Sequence, residues 1–139
     1  MNDLMSWKEC ERKFVRKVSV DRDKVKSLIE TAKAREKFVN SVGLTNENAS
    51  FVFENYYEIV KELLIALMLN NGMRSKNHQC LFTFFYDKYN YEAEVNLIKQ
   101  MNYLRNRLEY YGELIEFSYF KENHKKFKEI VKLLFGLVK

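Results

Sequence analysis

The chain has 139 residues, 47% of them hydrophobic and 31% charged, and a net charge of +5 at pH 7. That is enough chain to enclose one core, and its composition is too apolar for a disordered segment. Proline is absent and glycine occurs 4 times, which excludes a sandwich or barrel whose many turns consume both residues.

Residues 1–19 form an N-terminal arm or short helix in which Trp7, Phe14 and Val18 are the apolar positions. Residues 20–139 read as a single helical domain. The first long helix spans about 21–42, with Asp21 as N-cap and Val25, Leu28, Ile29, Ala32, Phe38 and Val39 facing inward. Gly43 is expected to close it in the left-handed conformation. The second helix spans about 46–71. Phe53, Tyr56, Tyr57, Val60, Leu64 and Leu67 recur at steps of three and four, and the stretch Leu63–Leu69 is apolar nearly all round. This helix is expected at the centre, buried on several sides. Gly72 closes it.

Ser75 is a candidate cap for a third helix over 76–86, with His78, Leu81, Phe82 and Phe85 inward. Residues 87–90 then make a tight connection. The fourth helix spans 91–111, with an apolar seam of Leu97, Met101, Leu104, Leu108 and Tyr111, and Gly112 breaks it. The fifth spans 118–137, with Phe120, His124, Phe127, Val131, Leu134 and Val138 on one line. The expected fold is all-α, an antiparallel bundle of four to five helices.

Charge is unevenly placed: residues 1–37 carry a net of +4, residues 38–120 a net of −3 and residues 121–139 a net of +4. Basic ends suit phosphate, and they equally suit solvated helix faces. Cys10 and Cys80 lie far apart and form no CxxC pair, so reduced thiols in a cytoplasmic protein are expected. No signal peptide is expected at MNDLMSWKEC, and no apolar run approaches the roughly 20 residues of a membrane span. There is no P-loop, GxGxxG, HExxH or GxSxG motif. With two histidines on different helices, no metal site and no cofactor are expected. His78 and His124 read as hydrogen-bonded anchors between helices.

One constellation points to a function. The third helix is entered through Gly72-Met73-Arg74-Ser75-Lys76-Asn77-His78, and the fourth ends Leu104-Arg105-Asn106-Arg107-Leu108-Glu109-Tyr110-Tyr111-Gly112. In these motifs and in helix order, the chain resembles the HEPN family over about residues 20–138. The resemblance implies a compact all-α domain, often a metal-independent ribonuclease that uses an R-x4-6-H motif at a dimer interface. Arg105 and Asn106 match the motif's first two positions. Tyr110, Tyr111 and Gly112 occupy the positions where the family's His would stand. The general base is therefore missing, since a tyrosine near pKa 10 is a poor base at neutral pH. The resemblance then implies an RNA- or nucleotide-binding interaction module with Arg105, Asn106, Arg107 and Tyr111 at its binding site. It further implies a homodimer through the fourth helix, and a nucleotidyltransferase partner in a toxin–antitoxin or defence system. The alternative is a ribonuclease using Arg105 and Asn106 with a substituted base, for which Tyr110 is one candidate. Without the resemblance, Arg105 reads as a helix-surface partner of Glu109.

Overall fold

The computed structural model describes residues 4–138. The chain runs through α1 (Trp7–Lys13), β1 (Val15–Lys17), α2 (Arg22–Ser41), α3 (Ala49–Asn70), β2 (Met73–Ser75), α4 (His78–Tyr89), α5 (Glu92–Tyr111) and α6 (Phe117–Leu137). The fold is a helical bundle with one small antiparallel sheet of β1 and β2, in the register Val15 to Ser75, Arg16 to Arg74 and Lys17 to Met73.

Helix α3 is the axis, and α2, α4, α5 and α6 all pack on it. Phe53, Tyr56, Tyr57, Val60, Leu63, Leu64 and Leu67 are buried, as are Ala66, Met68 and Leu69 behind them. Burial on several sides follows from the apolar middle of this helix, since no face of it can be left to water without cost. The aromatic part of the core is built where α6 meets α3: Phe127 lies 5.6 Å from Phe53 and 5.9 Å from Tyr56 by ring centroids.

Local signals set most helix ends. The Asp21 carboxylate accepts from the Lys24 amide at 3.0 Å, and Gly112 closes α5 at φ 65°. Gly72 at φ 72° turns the chain from α3 into β2, where an added Cβ would meet the Val18 carbonyl at 3.2 Å.

Six expectations need correction. Phe38, expected on the inner line of α2, is exposed. Gly43 does not adopt the left-handed conformation; α2 ends at Ser41 and the chain leaves it through an extended Val42. Ser75 is not the cap of α4. It is the last residue of β2, so the helix starts later, with the Asn77 side chain accepting from the Cys80 amide at 3.3 Å. Residues 87–89 continue that helix, and the connection is only Asn90, at φ 61°, and Tyr91, the N-cap of α5. On α5, Met101, Leu97 and Leu104 of the expected seam do meet the core, but Val95 and Ile98 are its other fully buried residues and Tyr111 is exposed. Finally, Cys10 and Cys80 are not free thiols. Packing of α1 on α4 brings their Cα atoms to 5.7 Å and the two form a disulfide.

Among the described residues, no helix is long and apolar enough to cross a membrane.

Candidate functional site

The two motifs singled out in the sequence meet at one side chain, Tyr57. It is fully buried in α3. Its hydroxyl donates to Oδ1 of Asn102 on α5 at 2.8 Å and lies 3.1 Å from Nδ1 of His78, the first residue of α4. With the tyrosine proton given to Asn102, the network makes Nδ1–H of His78 the donor to the tyrosine oxygen and leaves Nε2 with the free lone pair. The Arg105 guanidinium sits over the same ring, its carbon 5.6 Å from the centroid.

Arg105 points inward. Its Nη2 reaches Glu58 at 3.4 Å and Glu109 at 3.7 Å, and its side chain is 15% exposed. Its Nε is buried without a hydrogen-bond partner among the described residues. Glu58 also takes Lys61 at 2.7 Å. The cluster is therefore a short chain of charges, Lys61, Glu58 and Arg105, beside a tyrosine–histidine–asparagine network. Burial holds the His78 pKa below its ordinary value, and the positive charges of Lys61 and Arg105 push it the same way against Glu58 and the Asn102 hydrogen bond. His78 is thus neutral at pH 7. Burial also raises the Tyr57 pKa, which keeps its hydroxyl protonated.

The rest of the α5 motif faces out. Arg107 forms a bidentate pair with Glu113, and its guanidinium lies 4.5 Å from the Tyr111 ring centroid. Hydrogen bonding to Arg107 lowers the Glu113 pKa. Tyr103, Tyr110, Tyr111 and Leu114 are 61%, 72%, 69% and 72% exposed. Arg107 stands four residues after Tyr103, and Tyr110 and Tyr111 stand three and four residues after Arg107, so all four share one helix face. Neither Asn106 nor Tyr110 makes a side-chain hydrogen bond among the described residues. The structure thus brings Arg105 and His78 to one ring and sets Arg107, Tyr110 and Tyr111 on a different, exposed surface. His124 joins neither group: its Nε2 lies 3.0 Å from the Tyr56 hydroxyl.

Ser75 and His78 line a cavity of about 380 Å3 beside this cluster. Tyr57, Glu58, Lys61 and Asn102 were not singled out as site residues from the sequence. Tyr57 lies on an apolar line, and Asn102, Arg105 and His78 reach it from helices that only the fold brings together. Among the described residues, no group of three or more His, Cys, Asp or Glu side chains is placed to hold a metal ion.

Comparison with known proteins gives no matching family model, no matching curated protein and no matching solved structure.

Proposed function

We propose that the chain is a HEPN-like interaction module that binds RNA or a nucleotide and self-associates through α5. The observation that carries this reading is the exposed aromatic stripe of α5, Tyr103, Tyr110 and Tyr111 with Leu114, around Arg107. Large aromatic side chains exposed together offer stacking surfaces for bases and anchors for a partner helix. In this reading Arg107, which lies beside them, exchanges its Glu113 carboxylate for a phosphate. Arg105 holds α5 from beneath rather than performing chemistry, because it already has two carboxylate partners. A nucleotidyltransferase partner and a toxin–antitoxin or defence role belong to the same proposal. So does a cytoplasmic location, where RNA and nucleotides are met, although the Cys10–Cys80 bridge argues against a strongly reducing milieu.

A second reading has its own observation. His78, neutral and with Nε2 free, shares the Tyr57 ring with Arg105, which gives a relocated imidazole near an arginine. This supports the ribonuclease alternative with His78 as the substituted base.

One experiment separates the two. The purified protein is mixed with a labelled single-stranded RNA in EDTA, and binding and cleavage are both read. The module predicts binding without cleavage, weakened about tenfold or more by Arg107→Ala combined with Tyr111→Ala, as expected for the loss of one stacked base and one cation. Cleavage in EDTA that is abolished by Arg105→Ala and by His78→Ala overturns the module in favour of the enzyme.

A further inference from the structure

The small sheet places two arginines against each other. Arg16 of β1 stands directly opposite Arg74 of β2. Like charges at such a position destabilise a sheet. Among the described residues neither arginine has an ion-pair partner, nor do the neighbouring Lys76 and Lys24. Nothing in the fold compels this arrangement, since β1 lies at the surface and its Arg16 is exposed.

Two cavities open on either side of Arg74, Ser75 and Lys76, which line both. The first, about 380 Å3, has an apolar floor that includes Leu28, Ile65 and Leu81, and a rim that includes Lys61 and His78. The second, about 320 Å3, adds Arg16, Lys13 and the half-exposed ring of Phe14. An apolar pocket thus adjoins a cationic one along the shared residues Arg74, Ser75 and Lys76. The start of α4 lies at the same place, with Asn77 lining the second cavity and His78 the first. Its helix dipole adds partial positive charge there.

Uncompensated cations that repel one another are relieved by an anion, and a single small anion would leave the apolar floor empty. We infer that the double cavity is a binding site for an organic phosphate, a nucleoside di- or triphosphate whose base covers the apolar floor and whose phosphates cross Ser75 to Arg16 and Arg74. The phosphate rests on the sheet and its charges alone. The choice of a nucleotide among organic phosphates rests also on the function proposed above. The phosphate chain has two sources, a free nucleotide or the 5′ end of an RNA strand.

The test measures binding of ADP, of a 5′-phosphorylated RNA hexamer and of the same hexamer without the phosphate. The full chain is compared with Arg16→Gln, Arg74→Gln and, on the far groove between α2 and α6, Lys132→Gln. ADP is expected to bind the wild type and to lose about tenfold with Arg74→Gln, as a charge-assisted phosphate contact is removed. Arg16→Gln should lose several-fold, and Lys132→Gln should change nothing. Binding of the phosphorylated hexamer about tenfold tighter than ADP, and dependent on its phosphate, assigns the site to RNA ends; the reverse assigns it to free nucleotide. Because each substitution removes a repulsion, the ligand-free variants should melt no lower than the wild type, and roughly 1–4 °C higher. A melting point that falls in both variants overturns the claim that the arginines are uncompensated. Equal affinity of wild type, Arg16→Gln and Arg74→Gln for every probe, or no binding at all, overturns the site. RNA binding that depends on Arg107 and Tyr111 but ignores Arg16 and Arg74 overturns this site and leaves the α5 proposal standing. The opposite pattern overturns the α5 surface and leaves this site.

Discussion

Arg105 lies against Tyr57, its guanidinium carbon 5.6 Å from the ring centroid, so a residue two positions from the exposed Arg107 is folded into the protein. Two steps along a helix turn a side chain to roughly the opposite face. Arg105 therefore holds α5 to α3 through Glu58, while Arg107 stays with the aromatic stripe.

The first prediction follows from that division. Arg105→Ala should lower stability by about 1–3 kcal/mol, because Glu58 loses one of its two cations and the inward side of α5 loses its packing against Tyr57. Arg107→Ala should change stability far less, as expected of an exposed pair screened by water. Urea denaturation of both variants checks this. Equal effects would contradict the assignment of inner and outer faces.

The second concerns pH. Burial lowers the pKa of both His78 and His124, with Lys61 and Arg105 adding to the effect at His78 and Lys128 at His124. The folded state therefore takes up these protons at lower pH than the unfolded chain, whose histidines titrate near 6.5. Between the two values the unfolded state binds more protons, so stability is full above about pH 6.5 and falls as the pH drops below it. Glu62, whose pKa burial raises despite Arg35, works in the opposite sense just above its ordinary value of 4.5. Melting temperatures from pH 7.5 to 5.5 should show the decline, and a double His78→Gln, His124→Gln variant should show a much flatter curve.

The period of three and four made α3 and α6 legible in the sequence, and Asp21 and Gly112 gave the ends of two more helices. What escaped was long-range. Val15–Lys17 and Met73–Ser75 are only three residues each, too short to show an alternation, and each becomes a strand because the other is beside it. Ser75, a good cap residue by type, therefore carries no local sign that it belongs to a strand. On α5 the apolar stripe is wide enough to allow two seams, and the fully buried one is the line of Val95, Ile98 and Met101. Arg105 lies on the inner side because Glu58 on α3 supplies its counter-charge, which no local pattern reveals. Tyr57, the ring between Arg105 and His78, carries no pattern in the sequence that sets it apart from the other core aromatics.

The third prediction is the disulfide. Cys10 and Cys80 are separated by 70 positions, and both are completely buried. Closing a loop of that length restricts the unfolded chain by about 4 kcal/mol in the chain-entropy model, and native disulfides commonly contribute about 2–4. Protein denatured without reductant should show no reactive thiol in a colorimetric titration, and two after reduction. Reduction should lower the melting temperature and first expose α1, which packs on α4 at this bridge. Two reactive thiols before reduction would show that the pair does not form in solution.

The last prediction is self-association through α5. Tyr103, Tyr110, Tyr111 and Leu114 are each more than half exposed, and burying such side chains is favourable by about 25 cal/mol for each Å2 of apolar surface removed from water. The stripe sits at the end of a helix whose other face is fixed to α3, so a second copy can approach it without disturbing the core. Light scattering at micromolar concentration should give about twice 16.8 kDa. Tyr110→Asp with Leu114→Asp should return the protein to a monomer with an unchanged helical circular dichroism spectrum, because both side chains are exposed within one copy and carry no core packing. A monomeric wild type across the micromolar range removes the dimer and leaves the stripe as a surface for RNA or for a different protein. A dimer that survives the double substitution places the interface elsewhere, and the exposed Phe38 on α2 is then the next residue to change.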